Sequence, residues 1–297
     1  MLGGFWQQVL ESDLAVPRER PLNELTAELV SMLGSTDPVE RDDIAYRVLA
    51  TWVGEGVYDD LLATLGDSIA QGLLSGLGSS DDDTVFRRSF CALILTSCVD
   101  RDNHAHLLPV DVVMNWADRS LGWFIREQDL RGRVASKGWA HTVAHGADLI
   151  ATLGQSRHLS AAHLGVLLDV IAERLLSSEG TRFVDGEDDR LAAATLVILQ
   201  RNLIEQDQLD DWLETLRAGL RPRDRGDYDV WPSTCARNTS DFLRALYVHL
   251  AVSVHPAGSV LDFSEPPRCR ADLLLSLLRV MPKLTPWLYT TAASSAP

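Results

Sequence analysis

Along almost the whole of its 297 residues, the chain repeats its apolar side chains at intervals of three and four. That period puts them on one side of an α-helix, whereas a half-buried strand would alternate every second residue. Proline at Asp37-Pro38 and at Pro109 marks helix starts, and Gly34, Gly76 and Gly154 mark helix ends. The pattern predicts helices over 3–14, 22–34, 37–54, 58–76, 83–99, 109–126, 135–154, 160–176, 187–203, 207–220, 238–255 and 271–280. The segment with Phe86, Phe90, Leu93, Ile94 and Leu95 is apolar on several sides and reads as central. Residues 100–106 read as a polar loop holding a solvated His104 and His106, and 221–237 as another around Trp231-Pro232. Long segments begin near 37, 83, 135, 187 and 238, roughly every 50 residues, close to the helical-hairpin repeats of HEAT type. The expected fold is therefore all-α, a right-handed α-solenoid of helical hairpins (HEAT- or armadillo-like), with a closed α/α barrel as the alternative. The expected division is a helical cap over 1–36, a solenoid domain over 37–290 and a disordered tail over 291–297.

One stretch combines this pattern with chemistry: Lys137-Gly-Trp-Ala-His-Thr-Val-Ala-His-Gly-Ala-Asp148. Drawn as a helix, it sets His141, His145, Asp148 and Thr152 on one face, while Trp139, Val143, Ile150 and Leu153 take another. Alanines 140, 144, 147 and 151 between them allow close packing. Three readings follow. The polar residues are simply hydrogen-bonded within the fold; or they form a ligand or catalytic face, with His titrating near neutrality beside a carboxylate; or His141, His145 and Asp148 bind a divalent metal, as paired histidines four apart on a helix can. Thr142 stands where the Glu of a catalytic H-E-x-x-H zinc motif would be. Trp139 reads as core before it reads as a ligand-stacking platform.

Charge narrows the partners. A net charge of −15 and a pI near 4.9 argue against nucleic acid and against an anionic membrane surface, and are compatible with a cationic partner. The four cysteines form no C-x-x-C pair, so neither a zinc knuckle nor a redox motif is expected, and Cys91 and Cys98 read as small core residues. With no apolar run of about 18 residues and no basic-then-apolar leader, a cytoplasmic location is expected.

In a solenoid, the first turns of successive hairpins form a row. Arg87 and Arg88, Lys137 and His141, Glu187, Asp188 and Arg190, then Asn238, Asp241 and Arg244 would share one surface. Asp185-Gly-Glu-Asp-Asp189 is explained by capping and dipole complementarity alone. Its functional reading makes Glu187 or Asp188 the partner of His141 or Lys137.

Lys137-Gly-Trp-Ala-His141, Ala144-His-Gly-Ala-Asp148, Gly186-Glu-Asp-Asp-Arg-Leu-Ala192 and Phe242-Leu-Arg-Ala-Leu-Tyr247 resemble the hallmark segments of the DUF2785 family of bacterial proteins. The resemblance extends over about 40–255. It implies an all-helical, HEAT-like domain and supports treating the Lys137–Asp148 and Gly186–Ala192 motifs as one site; it brings no activity with it.

Two functions are expected from these residues. The first is a binding module, whose concave face around His141, His145, Asp148, Glu187 and Asp188 holds a small polar or cationic ligand or a peptide, with Lys137, Trp139, Arg88 and Arg190 contributing. The second is a hydrolase or transferase, with His141 or His145 as general base, Asp148 or Glu187 orienting it, and Lys137 or Arg190 stabilising an anion.

Overall fold

In the computed structural model the described residues are 2–178, 180–219, 233–252 and 266–284. The Trp231-Pro232 segment and the tail 291–297 lie outside them. The chain divides into two units, Met1–His158 and Leu159–Pro297. Both are helical, so the all-α expectation holds. Among the described residues, no helix is long and apolar enough to cross a membrane.

The first unit contains α1 (Leu2–Glu11), α2 (Leu22–Met32), α3 (Arg47–Gly54), α4 (Leu62–Gly72), α5 (Thr84–Ala105), α6 (Val110–Arg126) and α7 (Thr142–Gln155). Asp37 caps the segment leading into α3 by accepting the Val39 amide at 2.9 Å, and residues Val39–Tyr46 of that segment are wound as a π-helix. Helices pack both on the next helix and on the next but one: α3 and α4 pack on α5, α5 on α7, α4 on α6 and α6 on α7. As its composition predicts, α5 is the central element, with Phe86, Phe90, Ile94 and Leu95 buried on different sides. Cys91 and Cys98 are free, buried thiols, and burial pushes both up to about 12.

α5 runs further than its sequence suggests. Residues 100–105 are helical, and the helix stops only at His106, which is left-handed (φ 56°). The buried Asp102 explains the extension. Its carboxylate accepts the Leu108 amide at 2.7 Å and Arg157 Nη1 at 3.0 Å, so the last turn is tied to the loop that follows it and to Arg157. His104 sits exposed in that turn, where a basic side chain complements the helix dipole.

Helices α6 and α7 meet at a glycine. A Cβ on Gly146 would land on the ring of the buried Phe124, so only glycine permits this approach. Gly146→Ala is expected to lower stability by about 1–3 kcal/mol, the usual cost of overpacking, read as a shift in the urea midpoint without a change in slope.

The second unit contains α8 (Ala161–Leu176), α9 (Glu187–Gln200), α10 (Gln206–Gly219), α11 (Thr234–Ala251) and α12 (Arg270–Leu284). Ser160 begins α8 in a capping box, its amide donating to His163 Nδ1 at 3.2 Å. α9 packs on α11, and α10 on both α8 and α12. Trp212 of α10 is buried and donates its indole N–H to the Leu168 carbonyl at 2.9 Å, stitching α10 to α8.

Candidate functional site

The stretch from 133 to 141 is not helical, which corrects the expected start of the focal helix. Arg133–Val134 and Gly138–Trp139 pair as a two-stranded antiparallel hairpin, and α7 begins at Thr142. The reason lies in two backbone positions and one competing set of hydrogen bonds. Gly138 has φ +79°, and a Cβ there would come within 2.9 Å of Arg41 Nη2. His141 is also left-handed, at φ 55° and ψ 35°. The amides of Ala140 and His141 bond the carbonyls of Gly132 and Arg131 at 2.9 and 3.0 Å, not helical acceptors. The His141 carbonyl then accepts the His145 amide at 2.9 Å and starts α7.

The turn is fastened from below. Glu127 accepts Arg88 Nε at 2.6 Å and Nη2 at 2.9 Å, the Trp123 indole N–H at 2.9 Å and the Asp129 amide at 2.9 Å. Asp129 takes Arg131 in a fork of 2.8 and 2.6 Å, and its carbonyl accepts the Thr142 hydroxyl at 2.6 Å. Arg131 in turn reaches the Asp82 carbonyl at 2.8 Å. Arg41, buried over the rings of Phe86 and Phe90 (4.3 and 4.7 Å), donates to the Lys137 carbonyl at 2.8 Å. Burial lowers the Arg41 pKa and raises that of its partner Asp42, each offset in part by their ion pair at 2.8 Å.

On this base stand the two imidazoles. The His141 ring stacks on Trp139, centroids 4.4 Å apart and planes 21° from parallel. Trp139 is 39% exposed, so it is no core residue. The buried His145 ring meets His141 edge-on at 5.7 Å and Phe90 edge-on at 5.4 Å. Ser89 Oγ lies 2.7 Å from His145 Nδ1 and bonds the Ala140 carbonyl. A serine hydroxyl has one proton, and a carbonyl can only accept. The Ser89 proton therefore goes to Ala140, and His145 Nδ1–H donates to Ser89. In the neutral ring this leaves Nε2 as the basic atom.

The other predicted site residues fall differently. Arg88 is fully buried, its donors taken by Glu127, the carbonyls of Ser75 and Gly76 and the Thr84 hydroxyl, so it holds the fold and is not a ligand contact. Lys137 pairs with Asp83 through contacts of 2.7 and 2.8 Å. Asp148 is half-buried in the second turn of α7, and its carbonyl accepts the Thr152 hydroxyl at 3.0 Å. Because His141 precedes the helix, the one-helix stripe of His141, His145, Asp148 and Thr152 does not form as drawn.

Glu187, Asp188 and Arg190 belong to the second unit, in the first turn of α9 behind the left-handed Gly186. Glu187 is buried and accepts the Asp185 amide at 2.9 Å, while Asp189 meets His249 of α11 at 3.1 Å. Nearby, the fully buried Asn238 uses every hydrogen-bonding group it has. Its Nδ2 donates to Ser178 Oγ at 3.0 Å and the Thr181 carbonyl at 2.8 Å; its Oδ1 accepts Arg182 Nη1 at 2.7 Å and the Phe183 amide at 3.0 Å. Asp241 takes Arg182 and Arg244.

Sequence reasoning missed Ser89, Glu127 and Asp129. Ser89 is a lone hydroxyl inside the apolar run of α5, and Glu127-Gln-Asp-Leu-Arg131 is an alternating charged run just past a helix end. Both are weak signals until a fold brings them to the imidazole and to Arg88.

The family described as "Protein of unknown function (DUF2785)" matches residues 73–248, more than half of the chain. The chain belongs to the DUF2785 family. The DUF2785 match spans α5 to most of α11 and takes in the Lys137–Asp148 stretch, the Gly186–Ala192 stretch and Asn238. It begins well after residue 40, so α2 and α3 stand outside it. No curated protein and no solved structure matches the chain.

Proposed function

We propose that the chain is a ligand-binding protein whose site is the Trp139–His141–His145 turn, and that it takes a small polar or cationic ligand. The observation that carries this is the exposed Trp139 ring stacked on a left-handed His141. A non-glycine residue in that conformation costs on the order of 1 kcal/mol or more, and such strain concentrates at functional sites. An indole face attracts cations, and the net charge of −15 favours their approach. Each unit is read as stacked helical hairpins of HEAT-like kind. In support, helices two apart pack on each other in both units: α3 on α5 on α7, and α8 on α10 on α12.

Thermal shift tests this directly. Small ammonium, guanidinium and amino-acid compounds are expected to raise the Tm of the parent, and Trp139→Ala is expected to abolish the shift for the compounds that do so. No shift in the parent, or the same shift in Trp139→Ala, contradicts the proposal.

His145 favours a second reading, an acid–base or metal-dependent enzyme. A histidine whose Nδ1–H is fixed by an acceptor presents Nε2 as a base or ligand atom in a set orientation. Ser89 is fully buried, so in this reading it positions His145 and is not a nucleophile. Elemental analysis separates the possibilities: stoichiometric divalent metal in the parent, lost in His141→Ala/His145→Ala, favours the metal-dependent enzyme, and metal in neither leaves the binding protein or a metal-free acid–base site.

A further inference from the structure

Far along the first unit from the histidines in sequence, α2, α4 and the turn before α4 line an open pocket of about 420 Å³. Its walls include Leu22, Val30, Leu61 and Leu65; Thr26, Tyr58, Thr64 and Ser68 supply hydroxyls and Asn23 an amide, and no charged side chain lines it. Pockets of this size hold small organic molecules, and an uncharged lining excludes ions that would lose their hydration without a partner.

Two of these hydroxyls are already committed to each other. Thr26 donates to the Leu22 carbonyl at 2.7 Å, and Thr26 and Tyr58 lie 2.8 Å apart. With the Thr26 proton committed to Leu22, the Tyr58 O–H must donate to Thr26. Both protons of the pair are thus spent inside the protein, while the Tyr58 oxygen retains acceptor capacity. Tyr58 is only 2% exposed, and burial pushes its pKa up to about 12, so it stays a neutral phenol at any ordinary pH.

We propose that this pocket binds a neutral, largely apolar molecule carrying one hydroxyl, which donates to the Tyr58 oxygen while its hydrocarbon part lies against Leu22, Val30 and Leu65. A carboxylate or ammonium of the same shape is rejected by the uncharged walls. The pocket lies before residue 73, outside the segment matched by the DUF2785 family, and shares no lining residue with the site around Trp139.

The test uses three probes of one shape: 2-naphthol, naphthalene and 2-naphthoate, titrated into the full chain by calorimetry. One equivalent of 2-naphthol is expected to bind, naphthalene about tenfold more weakly, and 2-naphthoate not measurably. Tyr58→Phe should weaken 2-naphthol about tenfold and leave naphthalene unchanged. Val30→Trp, which fills the pocket from α2, should abolish both. Circular dichroism establishes that each variant is folded; the order of the three probes on the parent alone already decides the matter if a variant is not. The proposal is overturned if 2-naphthol does not bind, if 2-naphthoate binds as well as 2-naphthol, or if folded Tyr58→Phe binds 2-naphthol like the parent. Sedimentation of parent and Val30→Trp tests the competing occupant: a parent dimer that becomes monomeric in the variant, with 2-naphthol unbound, assigns this face to a second copy of the chain and also overturns the proposal.

Discussion

Glu127→Ala will be among the most damaging single substitutions in this protein, lowering stability by roughly 3–5 kcal/mol. The carboxylate accepts four hydrogen bonds, two of them from a guanidinium with no access to water. Removing one partner of a buried ion pair leaves the other charged and unsolvated, and that residual charge dominates the loss. The same argument fixes the expected result of a double replacement. Arg88→Met with Glu127→Leu removes both charges and should recover a large part of the stability lost in Glu127→Ala. Urea unfolding followed by circular dichroism measures both. A loss of less than about 1 kcal/mol in Glu127→Ala, or a double variant no better than the single, contradicts the role assigned to the pair.

The second large effect is expected at Asn238. Asn238→Ala removes four hydrogen bonds at once and leaves the Thr181 carbonyl and the Phe183 amide without their partners. A buried polar group left unmatched costs about 1–3 kcal/mol, so a total of roughly 3 kcal/mol or more is expected. The effect should be local as well as global. Segment 180–183, which Asn238 gathers to α11, should exchange its amide hydrogens much faster in the variant, most of all at Phe183. Asn238→Asp keeps the acceptor for Arg182 and Phe183 but loses both donors, and should fall between parent and alanine variant. Unchanged exchange at Phe183 contradicts this account.

How far the sequence reached depended on the range of the interactions involved. Helix starts at Pro109 and Ser160 and the central character of α5 were legible because they depend on neighbours within a turn or two. The helical reading of 135–141 failed because Trp139 and Val143 match a helical period, while the decisive facts are a left-handed Gly138, a left-handed His141 and an Arg41 arriving from a distant segment. The loop expected at 100–106 became helix because Asp102 finds Arg157, 55 residues on. Arg88 looked like a surface cation near a helix start; its burial follows only once Glu127, 39 residues away, is known to meet it. At the candidate site, sequence singled out the two histidines and Trp139 but gave the tryptophan the wrong environment, since its ring is exposed and stacked on His141. It offered no route to Ser89, whose hydrogen bond fixes the His145 tautomer.

The central claim is that the turn at Trp139 and His141 receives a ligand. The most direct measurement is a ¹H–¹⁵N spectrum of tryptophan indole groups, titrated with tetramethylammonium chloride at constant ionic strength. The chain has eight tryptophans, and the spectrum of Trp139→Ala identifies the one that matters. The account predicts a saturable shift of the Trp139 indole N–H with the deeply buried indoles of Trp6, Trp52, Trp116 and Trp123 unmoved. A Trp139 signal that stays in place up to saturating salt, or that moves no more than in a sodium chloride control, would contradict it.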